Sequence, residues 1–175
     1  IGFIGTVTPA KGPDVLARAQ ALLPRGTSTL SLWGSVTASP SYAARVRSAL
    51  VPGEASFAGP FPAGHSAEAL AEIDVLVVPS IWYENAPLVI SEAFRNGVPV
   101  VASRLGGMAE MVADGVDGCL FNPGSAEDLA RVLRVLVEDR AALTLLRAGI
   151  TSPRTVDDDA AVLESLYEEL VGEAE

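Results

Sequence analysis

Histidine, cysteine and lysine each occur once in these 175 residues, as His65, Cys119 and Lys11. One thiol excludes an internal disulfide and fits a reducing, cytoplasmic compartment. One thiol and one imidazole leave no ligand set for a structural zinc. Cys119 sits in the apolar stretch GCLF and reads as a small core residue. Basic side chains are scarce, 12 against 22 acids, for a net charge of -10. A broad nucleic-acid or anionic-membrane surface works through a basic patch and is thereby excluded, so any anion must be bound locally. No apolar run approaches the ~18 residues of a membrane span. There is no initiator Met and no signal-like start, and the chain opens inside the apolar run IGFIG. That opening reads as an excised piece of a longer protein whose N-terminal neighbour is missing.

What is present is 49% hydrophobic residues, enough for one compact core. Short β-branched runs alternate with helical patterns. IGFIG precedes a helix over 13–23, TLSLWG one over 42–50, SFAG one over 66–72, and DVLVVPS one over 87–96. PVVAS precedes a short helix over 107–112, and GCLF a long one over 126–139. A short helix over 143–149 and a last one from Thr155, with Val162, Leu163, Leu166 and Leu170 as its apolar side, complete the chain. Repeated strand-helix units predict an α/β fold, a doubly wound, mostly parallel sheet with helices on both faces. In such sheets ligands sit at the carboxyl ends of the strands, where Gly5, Gly34, Gly59-Pro60, Pro79-Ser80 and Gly106-Gly107 mark the turns.

Lys11, the one lysine beside eleven arginines, lies in GTVTPAKG after the first strand. It reads either as a solvated loop residue or, flanked by Gly5 and Gly12, as a compact cation for a phosphate. The stretch ENAPLVISE places Glu84 in a loop, Pro87 at a first helical position and Glu92 inside the helix. Two glutamates near a helix are commonly solvated or capping. The helix start between them, with free amides at Leu88 and Val89, is also suited to a diphosphate, and the carboxylates to vicinal hydroxyls on either side. SRLGGMAE offers a second anion-friendly turn followed by Glu110. His65 reads as a helix cap, and Asp157, Asp158 and Asp159 as favourable charge at a helix start, with no metal assigned.

As an ordered set these residues resemble the donor-binding C-terminal domain of retaining glycosyltransferases of the two-Rossmann-domain (GT-B) type, family four, also called glycosyl transferases group 1. The likeness runs from GTVTPAKGPDVLARA through DVLVVPSIWYENAPLVISEAFRNGVPVVASRLGGMAEMVADGVDGCLFNPGSAEDLARVL, centred on the E-x7-E motif of Glu84 and Glu92. The resemblance implies that Glu84 holds hydroxyls of the donor sugar, Glu92 the ribose hydroxyls and Lys11 the diphosphate. The segment Asn85, Ala86, Leu88 and Val89 would contact sugar and phosphates, the last three through backbone N–H groups.

Two departures stand out. The family often has Gly-Phe-Gly where this chain has Asn85-Ala86-Pro87, and commonly an arginine where Thr6 stands. Arg104 is expected to compensate for Thr6. The implied activity is transfer of a hexose from a nucleotide-diphosphate sugar to an acceptor hydroxyl with retention, by Lys11 and Glu84, with no cofactor or metal. The acceptor, and any peripheral membrane contact, would belong to the missing N-terminal domain, so the isolated piece would hold a donor weakly and transfer nothing. A nucleotide-sugar 2-epimerase of the same fold and a non-catalytic α/β binding module remain open. Base and sugar are not legible, although Pro60-Phe61 and Gly34 are candidates for base contacts.

Overall fold

The computed structural model describes residues 1–60 and 65–172. Its centre is one six-stranded, all-parallel sheet. The strands are β1 (Gly2–Ile4), β2 (Leu30–Trp33), β3 (Ala55–Gly59), β4 (Leu76–Val78), β5 (Val100–Ser103) and β6 (Gly118–Phe121). Parallel neighbours cannot be joined by tight hairpins, so helices intervene. These are α1 (Pro13–Ala21), α2 (Pro40–Ala49), α3 (Ser66–Ala71), α4 (Leu88–Arg95) and α5 (Gly107–Met111). After the last strand follow α6 (Ala126–Glu138), α7 (Arg140–Gly149) and α8 (Val156–Gly172).

The two-residue period of the strands sorts the core into layers. Phe3, Val75, Val77, Val101 and Phe121 face one side, where they meet Leu16 of α1, Val46 of α2, Leu133 of α6 and Leu146 of α7. Their neighbours Ile4, Leu76, Val78, Val100, Ala102 and Leu120 face the other, against Leu70 of α3, Ile90 and Phe94 of α4 and Met108 of α5. The near-continuous apolar strands are therefore buried on both faces, the doubly wound arrangement predicted from the alternation.

Capping sets several helix boundaries. The Ser125 hydroxyl accepts the Asp128 amide at 3.1 Å and starts α6. Asp139 accepts the amides of Ala141 and Ala142 at 2.9 and 3.3 Å, so α7 begins at Arg140, earlier than its apolar pattern indicates. Asp158 accepts both the amide and the hydroxyl of Thr155 at 2.7 Å, and these bonds hold its carboxyl below the usual range. The acidic run at 157–159 is thus a helix-start feature. His65 does occupy the position before α3, but its side chain accepts no backbone amide. Its Nδ1 instead lies 2.9 Å from the Glu68 carboxylate. The apolar side of α8 is uncovered among the described residues, with Val162, Leu163, Leu166 and Leu170 all about half exposed.

The strand order β3-β2-β1-β4-β5-β6 reverses between β1 and β4. There the connections leave toward opposite sides of the sheet, which opens a crevice at the carboxyl ends of the two strands. Beside it Gly34 (φ +147°) passes so close to Gly5 that a Cβ would stand 1.8 Å from the Gly5 carbonyl oxygen. Gly34 therefore serves backbone approach. Phe61, a candidate base contact, lies outside the described residues.

Candidate functional site

The crevice is walled by the loops after β1 and β4, which are stitched together. A 3-10 turn, Pro9–Lys11, ends at Gly12 in the left-handed region, φ +64°. A Cβ at Gly12 would stand 2.1 Å from the Pro79 carbonyl oxygen, and the Ile81 amide donates to the Ala10 carbonyl at 2.9 Å. Glycine is needed at position 12 on both counts. The stitch brings together side chains 73 positions apart: Lys11 Nζ lies 2.7 Å from Glu84 Oε2. The other carboxylate oxygen, Oε1, accepts a hydrogen bond from the hydroxyl of Ser80, which is buried. The glutamate is thus held from both sides.

Gly106 and Gly107 form the third support. The Gly107 amide donates to the Glu84 carbonyl at 2.8 Å. A Cβ on Gly107 would stand 1.6 Å from the Asn85 carbonyl oxygen. The turn read as a second anion site therefore spends its amide on the Glu84 loop, and α5 behind it has only five residues. Its work is to seat residues 84–85.

Pro87 differs from the expected first helical position: with φ -61° and ψ 107° it stands outside α4, at the cap. Its carbonyl accepts the Ile90 amide at 3.0 Å. Leu88 and Val89 then head the helix, and their amides have no intrahelical acceptor, so a small positive pole points out of the helix start. Lys11, Glu84, Asn85 and Ala86 line one pocket of about 430 Å³ with Ala10, Trp82 and Tyr83. Trp82 and Tyr83 are 67% and 74% exposed. Leu88, Val89 and Glu92 lie outside that lining, along the adjoining first turns of α4. Glu92 is half-buried and about 6 Å along the axis from Leu88 at ~1.5 Å per residue.

Sequence reasoning gave Ser80 only as a turn residue and missed Trp82 and Tyr83. A serine closing the buried run VLVVPS, four residues before Glu84, was the available signal for the first.

Arg104 is engaged elsewhere. Its guanidinium meets the Asp114 carboxylate at 2.5 Å and lines a separate pocket with Cys119 and Arg131. Burial pushes the Asp114 carboxyl up, but the Leu120 amide and Arg104 outweigh it and leave the group below its usual range. The expected compensation for Thr6 is therefore not set up in this geometry. Arg104→Ala should leave nucleotide affinity unchanged by calorimetry, with a stability loss within about 1 kcal/mol, as for an exposed pair.

Residues 1–139 match the family described as glycosyl transferases group 1. The D-inositol 3-phosphate glycosyltransferase of Thermomonospora curvata is 35% identical over 172 residues, 91% of this chain and 40% of that protein. The sulfoquinovosyl transferase of Arabidopsis thaliana is 42% identical over 89 residues, 49% of this chain and 17% of that one. Sucrose-phosphate synthase from Thermosynechococcus elongatus has the same fold at TM-score 0.83 and 26% identity, over 98% of this chain and 45% of that one. The Anabaena protein HepE, solved with UDP-glucose, is alike in fold at TM-score 0.81 and 24% identity, over 95% and 48% of the two chains. The chain spans about 40% of the length of its first curated relative. Matched over residues 1–139 of its 175, this chain belongs to the glycosyl transferases group 1 family.

Proposed function

We propose that this chain is the nucleotide-sugar site of a retaining hexosyltransferase, the acceptor being carried by a second, N-terminal domain. The observation that carries the reading is the meeting of Lys11 and Glu84 across the β1/β4 switch point, beside the start of α4. The diphosphate lies against the amides of Leu88 and Val89 with Lys11 as its cation. Glu84 accepts from sugar hydroxyls and Glu92 from the ribose diol, while Asn85 and Ala86 flank the sugar. Family membership supports this placement, as does a structural neighbour solved with UDP and with UDP-glucose.

In the reaction the bond from the anomeric carbon to the diphosphate oxygen breaks and a bond to the acceptor oxygen forms on the same face. The acceptor proton passes to the departing phosphate. Negative charge grows on that phosphate as the bond lengthens, so Lys11 and the helix start bind the transition state better than the ground state. These groups supply the positive charge that the step requires, and the reading uses no metal. Glu84 positions and stabilises the sugar without attacking it. A cytoplasmic setting goes with this reading, since nucleotide sugars and a free thiol both suit it.

Titration of the chain with UDP, GDP and ADP and with their sugars, by calorimetry or NMR, tests the assignment. One nucleotide series should bind and shift the amides of residues 84–89. Absence of binding by every series overturns the reading.

A further inference from the structure

The one lysine of this chain is already neutralised before any ligand arrives. Lys11 Nζ sits 2.7 Å from Glu84 Oε2, and the glutamate side chain is only 14% exposed. Ser80 keeps Oε1 occupied from beneath, which leaves Oε2 as the contested atom. A bare nucleoside diphosphate that seeks Lys11 must therefore displace a carboxylate held on a buried serine, and its own charge is repelled by that carboxylate. A nucleotide sugar brings hydroxyls that donate to the same oxygen. They compensate Glu84 as Lys11 turns to the phosphate.

Building on the donor-site reading, we propose that the Lys11–Glu84 pair is a release latch that distinguishes loaded from spent nucleotide. With the sugar present, Glu84 is occupied by hydroxyls and Lys11 is free to hold the diphosphate. Once the sugar has left with the acceptor, Oε2 loses its donors and recaptures Lys11, and the nucleoside diphosphate loses its cation. The pair thus weakens product binding in every cycle at no cost to the loaded donor. Glu84 is then a determinant of specificity for the sugar-bearing nucleotide, in addition to touching the sugar.

The test is a calorimetric comparison of the chain and Glu84→Gln with UDP, GDP and ADP, each against its glucose or mannose ester. The amide keeps the shape of the side chain and can still accept, but it no longer attracts Lys11. Bare diphosphate should bind Glu84→Gln about fivefold tighter, equivalent to about 1 kcal/mol. The nucleotide sugar should bind no tighter, so the preference for the loaded form shrinks. In a Lys11→Met background the same Glu84→Gln change should bring no gain. The latch is overturned if Glu84→Gln weakens bare diphosphate, if both ligands shift by one factor, or if the gain persists without Lys11. Failure of every nucleotide to bind the unaltered chain overturns the donor-site reading and the latch together. Any of the first three results overturns the latch alone.

Discussion

In the hexosyltransferase proposed above, Lys11→Met should lower kcat by about 10²–10³-fold, the loss found when one preorganised donor is removed from a developing oxyanion. The effect is large because no second cation lines the pocket among the described residues. Thr6 carries no charge, and Arg104 is turned to Asp114. What remains is the pole of α4, whose free amides at Leu88 and Val89 carry only partial charge. KM for the donor should change less than kcat, because the negative charge that Lys11 faces on the phosphate grows as the bond to the sugar breaks. Methionine keeps the apolar stem, so folding should be intact by thermal melting. Lys11→Arg tests geometry: a longer, planar cation displaced from Glu84 should recover only part of the rate. Turnover unchanged in Lys11→Met would remove this residue from the chemistry.

The layers of the fold were legible because their determinants are local. Val75, Val77 and Val101 alternate with Leu76, Val78 and Val100 along buried strands, and a period of two read from either strand assigns the face. Turn residues placed the loops at the carboxyl ends, and the E-x7-E spacing pointed to the start of α4. What escaped the reading depends on strand order. Nothing in PAK or PSIWYE states that β1 and β4 are neighbours, yet that adjacency makes Gly12 press on Pro79 and puts Lys11 on Glu84. Arg104 is a similar case. Counting from the end of β5 placed a cation near the crevice, but an aspartate ten positions later competes for it at short range. On α8 the apolar period was legible and its partner was not, because a helical stripe specifies that something covers it without naming what.

Gly107→Ala should have the largest effect of any single methyl group at the site. The new carbon would lie 1.6 Å from the Asn85 carbonyl oxygen and 2.9 Å from that of Glu84. Both contacts are backbone, so no rotamer can relieve them, and either α5 or the 84–85 loop must move. On the α5 side Gly107 is followed by Met108, fully buried against the core shared with Ile90 and Ala102, and retreat there would open a void. The loop is the softer side: Asn85 and Ala86 are exposed and are anchored chiefly by the Gly107 amide and the Glu84 side chain. Displacing it breaks the 2.8 Å bond to the Glu84 carbonyl and carries the carboxylate away from both Ser80 and Lys11. Overpacking of this kind costs about 1–3 kcal/mol, which a fall in melting temperature should report. Nucleotide-sugar binding should fall much further than stability, because a shift of about 1 Å in the groups that position a ligand can cost on the order of 10²-fold. Gly97→Ala supplies the control. Unlike Gly107 it has a positive φ, at +68°, but a Cβ there would meet nothing within 4 Å, so it should lose a little stability to backbone strain and leave donor affinity intact. Equal losses of affinity in the two variants would mean that the glycine pair does not support the site through the Glu84 loop.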